Sequence, residues 1–202
     1  MVTHIFIVIF LKKRMIIGVT GSIAAGKETL TSFLREKGFI YFETSKIIKD
    51  EVIKRGLEVT RWNMQNIGDE WREKFGPGAI MKIMLERTEP NKNYIFDSLR
   101  NAKEAEFLRE NVKDFVLIAV DADQKVRFNR ILKRNKPHDP KTWEDFLKVD
   151  ERDFFDKDNP LGQQISKCME LSNFKIDNSD LEISKNEVRE IWEKIKNADN
   201  RV

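Results

Sequence analysis

Gly21-Ser22-Ile23-Ala24-Ala25-Gly26-Lys27-Glu28-Thr29 is the stretch whose residue types and spacing point most directly to chemistry. Glycines at the first and sixth places let a backbone approach a polyphosphate closely, so that several N–H groups converge on it. Lys27 would reach the β- and γ-phosphates as a point charge. The apolar run from Met15 to Thr20 ahead of the loop reads as a strand, and Leu30-Thr31-Ser32-Phe33-Leu34 behind it reads as the start of a helix. The first turn of that helix adds the positive end of a dipole. Strand, glycine spacing and helix are three independent requirements, and their coincidence separates this stretch from a chance match. Glu28 stands where a Ser or Thr hydroxyl ordinarily binds Mg2+, with Thr29 one place later. Either the Glu28 carboxylate or water fills that magnesium position, or the loop binds nucleotide without turning it over efficiently.

The elements that must hold this loop follow from hydrophobic pattern and punctuation. Leu30, Phe33 and Leu34 give the first helix one buried face, and Gly38 closes it. Phe39 to Phe42 is expected as a short buried strand, followed by a helix to about Arg55 capped by Thr44 or Ser45. Two further helices are expected near Asn63 to Phe75 and, with Pro77 at its start, Pro77 to Arg87; Trp62 and Trp71 are read as their packing residues, with a stack against a substrate base as the alternative. Tyr94 to Asp97 and Phe115 to Val120 are apolar strands of the kind covered on both faces. Asp123 would cap a basic helix containing Arg127, Arg130 and Arg134, and Thr142 a helix from Trp143 to Glu151. An exposed acidic tract from Asp153 to Asn159, a helix from Pro160 to Leu171, a short strand Phe174 to Ile176 and an amphipathic helix Glu182 to Asn197 complete the chain. Strands alternating with helices predict a three-layer α/β fold with a central parallel sheet. Ligands of such sheets bind at the carboxyl ends of the strands. Thr20-Gly21, Glu43-Thr44, Asp97 to Arg100, Asp121 and Asn178 would therefore ring one crevice.

Composition narrows the function classes. The 202 residues suit one domain with a substantial core, and the net charge of +3 is small against 37 basic and 34 acidic side chains. Because the two signs are interleaved, no nucleic-acid surface is indicated. The single cysteine, Cys168, excludes an intramolecular disulfide framework and fits a reducing, cytoplasmic setting. Ile5 to Leu11 is apolar but too short to span a membrane, and Lys12-Lys13-Arg14 follows it rather than preceding it, so neither stable membrane insertion nor a signal peptide is expected. Residues 1 to 14 are read as an extension outside the core, with an added edge strand as the alternative. His138, between Pro137 and Pro140, is expected in a loop rather than as a metal ligand.

Taken together, the glycine loop, the strand-end acid Asp97 and the arginines resemble a P-loop nucleoside monophosphate kinase, and most of all the archaeal nucleotide-kinase-like proteins related to adenylate and dephospho-CoA kinases. The resemblance runs from about Met15 to the C-terminus and implies a P-loop kinase fold with a helical acceptor-binding insertion, residues 44–90, and a lid, residues 127–155. It implies ATP and Mg2+ as cofactors and a small nucleotide-like acceptor as partner. The residues Gly21 to Thr29 then grip ATP, with Gly21, Gly26, Lys27 and Thr29 matching the family's loop. Thr44-Ser45-Lys46-Ile47-Ile48-Lys49 is similar to the family's S-T-G-D-x-L-R, which places Thr44 or Ser45 toward the acceptor and Lys49 where the family has arginine. Asp97-Ser98-Leu99-Arg100 resembles D-G-x-x-R, so Asp97 would hold magnesium through water and Arg100 would bind the acceptor's phosphate. Arg130 to Arg134 is similar to the R-x-x-x-R that opens the lid. By that likeness Arg130 lies against the adenine or phosphates, while Arg134 and the later lid arginine, Arg152, meet the transferring group. Asn178 is similar to residues lining the adenine pocket.

Each residue also has a plainer reading. Asp97 would merely cap a strand end, Arg100 would pair with Glu104 on a solvated helix face, and Arg127, Arg130 and Arg134 would form a basic helix face paired to the neighbouring acids. The functional alternative is an ATP-binding regulatory module with weak or no kinase activity, of which Glu28 and Lys49 are the marks. A GTPase is disfavoured, because Asn135-Lys136-Pro137-His138-Asp139 lacks the N-K-x-D spacing that reads guanine. The acceptor itself, and the choice between monomer and homodimer, stay open at this level.

Overall fold

The computed structural model describes residues 14–136, 139–155, 157 and 162–199. The chain runs β1 (Met15–Thr20), α1 (Glu28–Glu36), β2 (Ile40–Glu43), α2 (Thr44–Lys54), α3 (Arg61–Phe75), α4 (Ala79–Glu86), β3 (Tyr94–Asp97), α5 (Ala102–Asn111), β4 (Asp114–Asp121), α6 (Gln124–Arg134), α7 (Trp143–Phe154), α8 (Ile165–Glu170), β5 (Phe174–Asp177) and α9 (Leu181–Asp199). The strands form one sheet in the order β2-β3-β1-β4-β5, with every neighbouring pair parallel. This is the three-layer architecture that the strand–helix alternation predicts.

The sheet's apolar residues divide between its faces with the two-residue period of a strand. Ile16, Tyr94, Phe96 and Leu117 join Ile47, Val52, Ile80, Met84, Ala105 and Leu108 in one core. Ile17, Val19, Ile95, Ile118 and Val120 join Leu30, Leu34, Val188, Ile191 and Ile195 in the other. Helices α2, α4 and α5 therefore cover one face, and α1 and α9 the other. Burial on both sides is why β1, β3 and β4 read as nearly unbroken apolar runs.

Several local expectations need correction. The second strand is half-buried and, among the described residues, lies at the sheet's edge. Helix α2 has Glu43 at its cap position with no capping bond from its side chain to the helix backbone, and the hydroxyl of Thr44 donates to the Asp97 carbonyl oxygen at 2.8 Å rather than capping the helix. Gly78, not Pro77, occupies the position before α4. Asp153, expected at the start of an exposed tract, is 3% exposed and belongs to α7. Asp156, Asp158 and Asn159 of that tract, His138 and residues 1–13 lie outside the described residues, as do Pro160 and Leu161 ahead of the shorter α8. Arg14 donates to Thr88 Oγ1 at 2.8 Å. Cys168 is buried, which raises its thiol pKa and fits the expectation of a small packed side chain. Among the described residues no helix is long and apolar enough to cross a membrane.

Candidate active site

The parallel register sets Val19, Asp97 and Glu43 side by side across β1, β3 and β2, so the chain leaves these strands at one edge of the sheet. The loop from Gly21 to Lys27 leaves β1 here. Gly21 has φ +153°, and a Cβ on it would lie 2.0 Å from the Val120 carbonyl oxygen, so the end of β4 leaves no room for a side chain. Gly26, at φ +83°, meets the Asn178 side chain in the same way, at 2.2 Å. The loop's carbonyls are gripped from behind: Asn178 Nδ2 donates to Ala25 O at 2.9 Å and Gly26 O at 3.0 Å, and Arg130 donates to Ala25 O at 3.0 Å and Asn178 O at 2.6 Å. Among the described residues the N–H groups of Gly26, Lys27 and Glu28 have no hydrogen-bond partner. Those are the orphan donors of a helix start, available to an anion.

In front of the loop opens a cleft of about 760 Å³. Of the residues expected at the site, Gly21, Ser22, Ile23, Ala24, Lys27, Thr44, Ser45, Lys49, Asp97, Arg100, Arg134 and Arg152 line it. Burial depresses the pKa of Lys27, and the nearby Arg100 and Arg134 depress it further, while Asp97 and Glu43 pull the other way. Asp97 is 6% exposed; its Oδ2 accepts from the Tyr41 hydroxyl at 2.6 Å, whereas Oδ1 is buried and has no hydrogen-bond partner among the described residues. A buried carboxylate oxygen with no partner among the described residues, in a cleft in front of the glycine loop, fits a water shell around Mg2+. Among the described residues no three acidic, His or Cys side chains cluster to hold a metal.

The arginines are engaged in specific ways. Arg134 forks onto Asp139, at 2.7 and 2.8 Å, and this contact pulls the Asp139 carboxyl below the usual range. Arg152 is half-exposed on α7. Arg100 donates to Gln163 Oε1 at 2.9 Å, and its backbone N–H, not its guanidinium, meets Glu104. The expected Arg100–Glu104 side-chain pair is thus replaced by an Arg72–Glu104 pair. Lys49 is exposed in the cleft wall. The Ser45 hydroxyl donates to Glu43, whereas that of Thr44 is committed to the backbone of Asp97.

Other expected residues stand outside the cleft. Glu28 is turned back along its own helix to Arg35 and to the Ser32 hydroxyl, 2.8 Å away, and so does not line the cleft as a metal ligand would. Thr29, Ala25 and Gly26 also fall outside its walls. Arg130 and Asn178, expected near adenine or phosphates, instead spend their polar groups on the loop's carbonyls, and neither lines the cleft. Arg127 is 4% exposed and paired with Asp150, in keeping with its plainer reading as an arginine paired to an acid.

Sequence reasoning missed Tyr41, Arg72 and Gln163. It also misplaced Trp62, which is 68% exposed on the cleft wall rather than packed. The Asn-x-x-Glu pattern of Asn101 and Glu104, which forms a capping box, was the one visible signal leading toward Arg72.

The profile of an AAA domain family matches residues 17–153, spanning the glycine loop, Asp97, Arg100, Arg134 and Arg152. The chain belongs to that family. It also stands with UPF0200 proteins: it is 32% identical to one from Aeropyrum pernix over 61% of this chain and 66% of the relative, and 30% identical to one from Thermococcus kodakarensis over 69% and 77%. In three dimensions it is similar to shikimate kinase from Acinetobacter baumannii in complex with shikimate, with a TM-score of 0.55, 16% identity, and 93% and 96% of the two chains covered. A gluconokinase from Sinorhizobium meliloti 1021 gives 0.54 at 12% identity, covering 95% and 98%. At such identities the likeness is one of fold: a P-loop kinase fold, as the resemblance implies.

Proposed function

We propose that this protein is an ATP- and Mg2+-dependent small-molecule kinase that transfers the γ-phosphoryl group to a nucleotide or nucleotide-like acceptor, of the nucleoside monophosphate or dephospho-CoA type. The observation that carries the reading is the convergence of Lys27, Arg134, Arg152, Asp97, Arg100 and Lys49 on one cleft in front of the glycine loop. Phosphoryl transfer asks for in-line placement, neutralised charge and exclusion of water, rather than covalent chemistry from the protein. Lys27 and the loop's N–H groups would hold the β- and γ-phosphates. Arg134 and Arg152 would neutralise the moving group, Arg134 after releasing Asp139. Arg100 and Lys49 would receive the acceptor's phosphate, with Ser45 beside them. Asp97 would hold Mg2+ through water, and the cation would supply charge neutralisation between the phosphates. Residues 44–90 act in this scheme as the acceptor-binding unit and 127–155 as the lid.

ADP release measured with ATP against adenylate, deoxynucleotide and dephospho-CoA acceptors, with and without Mg2+, tests the proposal. Acceptor-dependent release that Lys27→Ala abolishes, and whose acceptor KM Arg100→Ala raises, supports it; undiminished release in the lysine variant rejects it. The second reading, an ATP-binding regulatory module with little turnover, draws on the turned-away Glu28, which leaves the first turn of α1 without a cation-binding hydroxyl at that place. Tight ATP binding without acceptor-dependent ADP release favours it.

A further inference from the structure

Behind the glycine loop, Asn178 sits just past β5 with every polar group engaged. Its backbone N–H donates to Asp121 O at 2.7 Å, and its carbonyl accepts from Arg130 Nη2 at 2.6 Å. Its Nδ2 spends both hydrogens on Ala25 O and Gly26 O. Its Oδ1 accepts from the Ser184 hydroxyl at 2.6 Å. Asn178 is 1% exposed, and Ser184, in the first turn of α9, is fully buried. The Ser184 hydroxyl also lies 3.0 Å from Leu181 O, where a helical serine can place its proton. Here the proton belongs on Oδ1, because an amide turned end for end would set Oδ1 against the Ala25 and Gly26 oxygens.

This contact decides which way the loop's peptides face. A planar trans peptide points its C=O and its N–H to opposite sides. The Ala25 carbonyl shares a peptide with the Gly26 N–H, and the Gly26 carbonyl shares one with the Lys27 N–H. Drawing both carbonyls back onto Asn178 therefore turns both N–H groups forward, and neither has a partner among the described residues. Successive N–H groups so turned make a concavity for an anion. The loop keeps this shape against local preference, since Ala24 has φ +58° and Gly26 φ +83°. Such backbone persists only where its surroundings over-determine it.

We propose that Ser184 and Asn178 are positioning residues for a polyphosphate: Ser184 fixes the amide of Asn178, and Asn178 fixes the two peptides whose N–H groups receive the anion. Neither side chain lines the cleft, and no residue of α9 does. The inference rests on the phosphate half of the kinase reading, and it adds that the loop's grip is set from a helix outside the site.

Pyrophosphate and ATP are titrated into the full-length protein by calorimetry, and the Gly26 and Lys27 amide resonances are followed in isotope-labelled protein. The wild type is expected to bind pyrophosphate with both amide protons moving downfield. Ser184→Ala should weaken pyrophosphate and ATP alike by about 10-fold, roughly the strength of one hydrogen bond, with smaller downfield displacements. Ser184→Thr keeps the hydroxyl and should recover most of both. Asn178→Asp has the same shape but sets a carboxylate against two carbonyls, so it should lose more. A purely packing role for Ser184 would lower the thermal midpoint while leaving pyrophosphate affinity, measured well below that midpoint, at the wild-type level. That result, or wild-type amide displacements in Ser184→Ala, overturns this inference and leaves the kinase reading standing. Should Ser184→Ala fail to fold, Asn178→Asp carries the test, and undiminished pyrophosphate binding there overturns the inference equally. Failure of the wild type to bind either compound overturns both.

Discussion

Arg127 and Asp150 form a two-point ion pair inside the protein: Nη2 lies 2.8 Å from Oδ2, Nη1 contacts Oδ1, and the residues are 4% and 5% exposed. Arg127 also donates to Ala122 O at 2.9 Å and lies over the Phe146 ring. The pair thus ties α6 to α7, the helix that carries Arg152, next to the glycine loop. Asp150→Ala leaves a buried guanidinium unanswered and should lower stability by about 3–5 kcal/mol. Urea unfolding checks this, and the double replacement Arg127→Met with Asp150→Leu should recover most of the loss.

Lys27 gives a prediction whose sign runs against the usual trade of stability for charge. Its folded pKa is lowered, mainly by burial, so between that lowered value and the ordinary 10.5 the folded state holds fewer protons than the unfolded chain. The cost is fully present below the lowered value and relaxes as pH rises toward 10.5. Lys27→Met should therefore raise the thermal midpoint of the ligand-free protein at neutral pH by a few degrees and flatten its alkaline rise. The same variant should lose the ATP-induced shift in that midpoint, which scans with and without ATP from pH 7 to 10 would record.

Tyr41 holds Asp97 by a 2.6 Å hydrogen bond to one oxygen and leaves the other unanswered. Tyr41→Phe frees the carboxylate to turn, and loss of such an orienting partner typically weakens a metal site 10- to 100-fold. Mn2+ titrated into the ATP-bound protein and followed by electron paramagnetic resonance should bind about 10-fold or more weakly, with metal-free ATP affinity unchanged. Equal Mn2+ affinity would separate Tyr41 from the cation.

Ser98 stands at φ +70°, where the D-G-x-x-R pattern carries glycine. A left-handed residue with a Cβ costs about 1–2 kcal/mol, and glycine's extra freedom in the unfolded chain returns roughly 0.5–1 of that. Ser98→Gly should therefore stabilise the protein by about 0.5–1 kcal/mol, measured by denaturant titration.

The fold was legible because its signals are local. The glycine spacing, the unbroken apolar runs of β1, β3 and β4, and caps such as Thr142 and Asp123 each sit within a few residues of what they determine. Much of the cleft was legible for the same reason, since its residues stand at strand ends. What failed depends on contacts remote in sequence. Arg72 meets Glu104 across 32 positions, and Tyr41 meets Asp97 across 56, with no periodicity to announce either. Asp153 looked solvated because its neighbours in sequence are acidic, yet the fold buries it. Trp62 fits a helical apolar pattern and nevertheless faces the cleft, since a period tells which residues share a face but not which face meets the core. Glu28 was judged by its position alone, and Arg35, one helix face further on, decides where it points.

The grip of Asn178 on the carbonyls of Ala25 and Gly26 spans 153 and 152 positions. A ribosome therefore releases the glycine motif long before it makes the side chain that shapes it. A nascent chain, or one clipped ahead of Asn178, would display every letter of that motif and lack its curvature. In the proposed function, competence to hold a phosphate tail waits until β5 docks and Asn178 reaches the loop, rather than following from the emergence of the loop itself.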